Sequence, residues 1–332
     1  MFILWTGDTV ASRGGYYEPP DITWDLQNVT VLLQKLQKDL GANVPVYPVI
    51  GNHDSSPQHQ LKSEGDWVYT TLAEMWKPFL PSDCLASLKK SGYYSLKVKD
   101  NLRLIVLNTA LYYELNNLTI GQSDPGGQIQ WLSEQLASAK KNNEYVYIAG
   151  HVPPRGMGGC FRPEYGKPFL DTMKGYHNII KGSFWGHCHQ DSFQLIGNIT
   201  SGDYHVGHLA PTLGTEWHTD PAFRRFIIDA DNYEVQNWRT FHMHLPDVNK
   251  EGKIKWNALY DAKMSYGLAD GTPKSMYSFI KGLETNATAF NMVYNNLNGG
   301  ADMAACDDQC KKQYICSMLY PQMYGFEECI KM

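Results

Sequence analysis

Short apolar runs closed by glycine recur along the chain as far as Gly186. Residues 2–6 form one that ends at Gly7-Asp8, and Val44 to Ile50 forms a second, stopped by Gly51. Leu102 to Leu107 is a third, Tyr145 to Ala149 a fourth ended by Gly150, and Ser183-Phe184-Trp185 leads into Gly186. Runs of this length bounded by turn residues predict buried strands. Between them, Val29, Leu32, Leu33, Leu36 and Leu40 recur at helical spacing, as do Ile129, Leu132 and Leu136. Asp124 as N-cap and Pro125 at the first helical position are expected to open the latter helix. Strands alternating with helices predict a layered α/β core. From about residue 245 the texture turns helical and polar without strong strands. The expected organisation is therefore a core over 1–240 and a small helical region over 241–332.

The polar residues of interest follow directly after the apolar runs. They are Asp8 in T-G-D, Asn52-His53-Asp54 in G-N-H-D, His151 in G-H-V-P-P, and His187 and His189 in G-H-C-H. Strand ends gather functional groups in α/β folds because the sheet holds the converging loops rigid. Any one of these residues alone reads as an ordinary turn or a structural histidine; the whole set, each at a strand end, does not. A carboxylate, a carboxamide and imidazoles suit zinc, manganese or iron(II) better than calcium or magnesium alone. An aspartate has two oxygens, so Asp8 is placed to bridge two cations, and such a pair polarises a phosphoryl oxygen and activates water.

Composition narrows the partners. With 332 residues, 43% hydrophobic, the chain can fill a sizeable core. Its net charge of −5 argues against a binder of nucleic-acid duplexes working by bulk charge. No apolar run is long enough to span a membrane as a helix. Of seven cysteines, Cys306, Cys310, Cys316 and Cys329 crowd into the final segment. Their spacing lacks the C-x2-C pair common in zinc knots and points to two disulfides and an oxidising compartment. Cys84 and Cys160 are left either paired or free. Glycosylation sequons occur at Asn28, Asn117, Asn198 and Asn286. Met1-Phe2-Ile3-Leu4-Trp5 lacks the basic and apolar regions of a signal peptide.

The order G-D, G-N-H-D, G-H, G-H-x-H resembles that of the calcineurin-like metallophosphoesterases. Trp5-Thr6-Gly7-Asp8, Leu107-Asn108-Thr109, Asp124-Pro125 with Gln130-Trp131-Leu132, and the terminal cysteine spacing resemble the acid sphingomyelinase branch. Leu111-Tyr112-Tyr113 is closer to the acid sphingomyelinase-like phosphodiesterases within it. The resemblance implies an α/β fold in which a β-sandwich is flanked by helices, with disulfides Cys306–Cys310 and Cys316–Cys329. It implies two divalent cations, expected to be zinc, bridged by Asp8. Asn52, His151 and His187 would complete one site and His189 would serve the other. His53 would face the phosphate, oriented by Asp54, with Tyr112, Tyr113 and His218 as candidate substrate contacts.

The family's opening Asp-x-His does not precede Asp8, so the second cation site is expected to be incomplete and the sequence N-terminally truncated. Ser12 stands where the branch usually has histidine. The expected reaction is hydrolysis of a phosphodiester or pyrophosphate in nucleotides and related small molecules by metal-activated water. The alternatives are sphingomyelin cleavage, or an inactive pseudoenzyme. A monomer that is secreted or lysosomal completes the expectation.

Overall fold

Each glycine-terminated apolar run becomes a strand. The structure, a computed structural model, describes residues 1–11, 18–41, 44–155, 161–321 and 323–332. The runs give β1 (Ile3–Trp5), β2 (Val46–Pro48), β4 (Leu102–Val106), β5 (Tyr145–Ala149) and β6 (Ile180–Trp185), with β3 (Tyr94–Lys99) preceding β4. The chain forms two compact units, one of Met1–Pro153, Gly159–Thr172 and Trp185–His187, the other of Pro154–Gly158, Met173–Phe184 and Cys188–Met332. The fold is mixed α/β.

In the first unit β1 pairs with β2 in parallel, Ile3 opposite Val46 and Trp5 opposite Pro48. Strand β4 pairs antiparallel with β3 and parallel with β5, Leu102 opposite Tyr145 and Val106 opposite Ala149. Parallel pairing in this register sets strand ends level. Thr6-Gly7-Asp8 therefore emerges beside Ile50-Gly51-Asn52, and Leu107-Asn108-Thr109 beside Gly150-His151. Buried aliphatic residues on both sides of these short strands (Val46, Leu104, Ile105, Val106, Val146, Ile148) hold them in place.

The second unit contains β7 (Ser192–Asn198) and β8 (Asp203–Leu209), an antiparallel pair, and an antiparallel sheet of β9 (Ala222–Ile228), β10 (Val235–His242) and β11 (Asn257–Asp261). Its core is aromatic: Phe193, Trp238, Tyr266 and Phe290 pack with Met276, Ile280 and Leu283 of the helix Pro273–Leu283. Disulfides Cys306–Cys310 and Cys316–Cys329 staple the last two helices, Asp308–Leu319 and Met323–Lys331, as the resemblance implies. Cys84 is a buried free thiol; Cys160 lies outside the described residues.

Three details differ from the expectations. The helix over Val29–Leu40 exists as Pro19–Asp39, but Ile22, Leu26, Thr30 and Leu33 face inward while Leu32, Leu36 and Leu40 are exposed. A stripe of five apolar residues covers more than one face of the helix, and packing selects among them. The helix after Asp124-Pro125 begins only at Gln128, because Gly126 and Gly127 adopt left-handed φ and form a 3-10 turn first. Asp124 still caps it, accepting from the Ile129 and Gln130 amides. Beyond residue 245 a strand is present after all: β11 is short and only Tyr260 on it is buried, so its polar sequence gave no apolar run. Residue 240 itself lies within β10.

Candidate metal centre

Asp8, His151 and His187 meet in the first unit, each offering a donor atom within 4.8 Å of the others. The turns that deliver them are tight. Gly7 has φ of +90°, and a Cβ there would lie 2.8 Å from the Gly51 nitrogen and from His151 Nδ1. A Cβ on Gly51 would lie 2.1 Å from the Asp8 nitrogen. Only glycine allows this approach of backbones. Asp8 and His187 themselves hold left-handed φ of 52° and 67°, a costly conformation that concentrates at functional sites.

Hydrogen bonds fix each side chain. The Thr6 carbonyl lies 2.6 Å from His151 Nδ1, which therefore carries the proton, and Thr109 Oγ1 accepts from the His151 amide at 3.0 Å. That tautomer turns the lone pair of His151 Nε2 toward Asp8 Oδ2, 3.0 Å away. Asp8 Oδ1 accepts from the His53 amide at 2.9 Å. Burial alone would raise the Asp8 carboxyl and depress His151. Their mutual attraction, with His53 and His187 contributing, instead holds Asp8 well below the usual carboxylate range, and Asp8 holds His151 above its ordinary value.

Two lone pairs 3.0 Å apart in a buried setting repel unless a proton or a cation lies between them. The donors therefore fit a divalent cation: an aspartate oxygen and imidazole nitrogens in the arrangement such ions favour. Asn52, fully buried, adds its amide oxygen 2.7 Å from His187 Nδ1, so the same cluster contains four of the expected ligand side chains.

The remaining candidates fall out differently. His53 is half-buried, and its Nδ1 lies 3.0 Å from Gln58 Oε1. Gln58, rather than Asp54, is the side chain that holds the ring. Both Asp54 oxygens are taken by backbone amides, Oδ1 by Val10 at 3.0 Å and Oδ2 by Gly51 at 2.7 Å. A carboxylate that close to two N–H groups serves the loops, and the side-chain hydrogen bond of the His53 ring goes to Gln58 instead. Burial and the neighbouring Asp8 charge push Asp54 up to about 6. Tyr112 is fully buried against Phe161, Tyr165 and Phe169 and belongs to the core. Tyr113 is buried too, its ring packed on His187 and His59 with centroids 4.8 and 5.5 Å away. Neither tyrosine offers an open stacking face. His189, with left-handed φ, and His218, exposed on the 3-10 turn Glu216–His218, belong to the second unit. Ser12 lies outside the described residues.

His59 and Gln58 were missed by the sequence reading. They reach the site because the loop after Asn52 folds back, the His59 amide donating to the Asn52 carbonyl at 2.7 Å. No periodicity marks such a return; the only local signal is Pro57 between the two histidines.

Residues 1–191 match the calcineurin-like phosphoesterase family and residues 211–332 the acid sphingomyelin phosphodiesterase C-terminal region. The chain belongs to the calcineurin-like phosphoesterases. It is a phosphodiester hydrolase of their acid sphingomyelinase branch, and the family implies divalent metal ions. Among its relatives, a cyclic GMP-AMP phosphodiesterase of Rattus norvegicus is 32% identical over 352 residues, 99% of this chain and 77% of that protein. The sphingomyelinase phosphodiesterase C of Dictyostelium discoideum is 31% identical over 356 residues, covering 99% and 77%. The acid sphingomyelinase-like phosphodiesterase 3b of Homo sapiens is 30% identical over 351 residues, covering 99% and 75%. No helix among the described residues is long and apolar enough to cross a membrane.

Proposed function

We propose that the chain hydrolyses small phosphodiesters of the nucleotide type, using a cation held by Asp8, Asn52, His151 and His187. The observation that carries the reading is the contact between His151 Nε2 and Asp8 Oδ2, two donors aimed at each other in a buried site with His187 alongside. When bound, a zinc ion there polarises a phosphoryl oxygen and lowers the pKa of coordinated water.

The protein's own groups do the rest. Thr6 and Thr109 fix the tautomer and position of His151. Gln58, accepting from Nδ1, leaves His53 Nε2 to face the departing oxygen, and it is the protonated ring, with N–H at both nitrogens, that gives its Nε2 proton to that oxygen and is left neutral. Asp54 has a loop-holding role: by tying Val10 to Gly51 it keeps the Asp8 and Asn52 turns together. Two disulfides and exposed asparagines at all four sequons support a secreted or lysosomal glycoprotein.

The test is turnover of bis(4-nitrophenyl) phosphate, a cyclic dinucleotide and sphingomyelin vesicles by the full chain, after chelation and after zinc is restored. Zinc-dependent cleavage of the first two is expected. Cleavage confined to sphingomyelin would move the assignment to the lipid, and turnover unaffected by chelation would remove the cation from it.

A further inference from the structure

Asn52 stands between two imidazoles, and the two ends of its amide differ sharply in chemistry but hardly in shape. Its Oδ1 is 2.7 Å from His187 Nδ1, and its Nδ2 is 2.9 Å from His59 Nδ1. An amide nitrogen only donates. His59 Nδ1 must therefore accept, which places the ring's proton on Nε2. Rotating the amide by half a turn would put its oxygen against the His59 lone pair and point N–H groups at the cation ligands. Nothing about the bulk of the amide prevents that rotation; with the ring's proton on Nε2, the His59 lone pair opposes it on one side, as the contact with His187 Nδ1 does on the other.

The ring that carries this lone pair is itself held firmly. The His59 amide donates to the Asn52 carbonyl at 2.7 Å, closing the loop on the residue whose side chain it contacts. The His59 backbone sits at φ of +68°. Its ring packs edge-on against His53, with centroids 4.6 Å apart, and against Tyr113. All of these contacts lie within the first unit.

We propose that His59 is a positioning residue: its Nδ1 lone pair selects the amide orientation that presents Asn52 Oδ1 to the cation. The inference rests on the ligand set assigned above and adds a residue outside it. Groups that orient a ligand typically change metal affinity about 10- to 100-fold when removed.

Two isosteres separate the ring's nitrogens. Asparagine places an amide oxygen close to where histidine has Nδ1 and tolerates positive φ; glutamine reaches instead to the position of Nε2. Zinc affinity, measured on the full chain by competition with a chromogenic chelator, should fall roughly 10- to 100-fold in His59→Gln and stay within about threefold of the parent in His59→Asn. Unchanged affinity in both, the reverse order, or equal losses in both would overturn the proposal, since each removes Nδ1 as the deciding atom. Asp8→Asn, run in parallel, should lose zinc outright. If it binds zinc like the parent, the ligand assignment is what fails, and the role of His59 falls with it.

Discussion

Buried imidazoles gather in two regions of this molecule, and they behave in opposite ways. In the first unit His151 is fully enclosed yet held above its ordinary pKa, because the Asp8 carboxylate faces it. In the second unit His205 and His208 are just as enclosed and are driven far down, His208 to about 3, chiefly by burial, and no carboxylate among the described residues is paired with either. There His177 and His205 share one hydrogen bond, Nδ1 to Nδ1 at 2.8 Å, and His205 Nε2 pairs with Ser183 Oγ at 3.0 Å. His208 stacks on Phe184 and packs against Phe226 and Trp238. Enclosure alone makes a histidine a neutral packing element. A charge partner with an unshared lone pair makes it a ligand or a proton carrier.

The sharpest way to break this contrast is to remove the imidazole assigned to the leaving group. His53→Gln keeps a polar side chain in place but cannot release a proton near neutrality. It should lower kcat about 10²- to 10⁴-fold on a substrate with a poor leaving group, and far less with nitrophenolate, which needs no protonation. Equal losses on both substrates would assign His53 to phosphate binding. A change below about threefold on either would leave it no part in the reaction.

How far the sequence discloses each region follows the same physics. Asp8, Asn52, His151 and His187 were legible because each ends an apolar run, and parallel register sets those ends level. The disulfides followed from the crowding of four cysteines and the branch's spacing. Orientation was not legible. The resemblance implies Asp54 as the group that orients His53, yet the turn aims its oxygens at the Val10 and Gly51 amides. Tyr112 and Tyr113 follow a strand as site residues often do, but the Thr109–Tyr112 3-10 turn carries them inward. The second unit's buried polar groups left no local trace, since nothing in Gln190-Asp191-Ser192 foretells Arg224 from another strand.

That Asp191–Arg224 pair gives the second prediction. Arg224 is buried against the rings of Phe226 and Trp238, donates to the Ser192 carbonyl and pairs with Asp191, whose other oxygen accepts from Thr240 Oγ1 at 2.6 Å. A buried pair adds little net stability, but breaking one strands a charge in a dry interior. Arg224→Met should cost about 3–5 kcal/mol in urea unfolding, and Arg224→Met with Asp191→Leu should recover part of that loss. If the double variant is no better than the single, the arginine acts through packing on the two rings instead.

The smallest effect returns to the neutral imidazoles and concerns pH. The folded His208 pKa is about 3 and the unfolded reference is 6.5, so below 6.5 the unfolded chain takes up a proton that the folded chain refuses. The unfolded state then binds more protons, and stability falls as pH falls, by about 1.4 kcal/mol per pH unit for one such group. Its contribution is complete above 6.5 and is lost progressively down to about 3, so acidification from 6.5 to 5 removes roughly 2 kcal/mol. His205 shifts in the same direction and steepens the slope. Replacing His208 by phenylalanine removes the proton-binding group and keeps a ring among Phe184, Phe226 and Trp238. The variant should show a shallower decline of unfolding free energy between pH 6.5 and 5, whatever its absolute stability. A slope identical to the parent's would mean that His208 takes up its proton in the folded state as readily as in the unfolded chain, and the contrast between the two histidine groups would disappear.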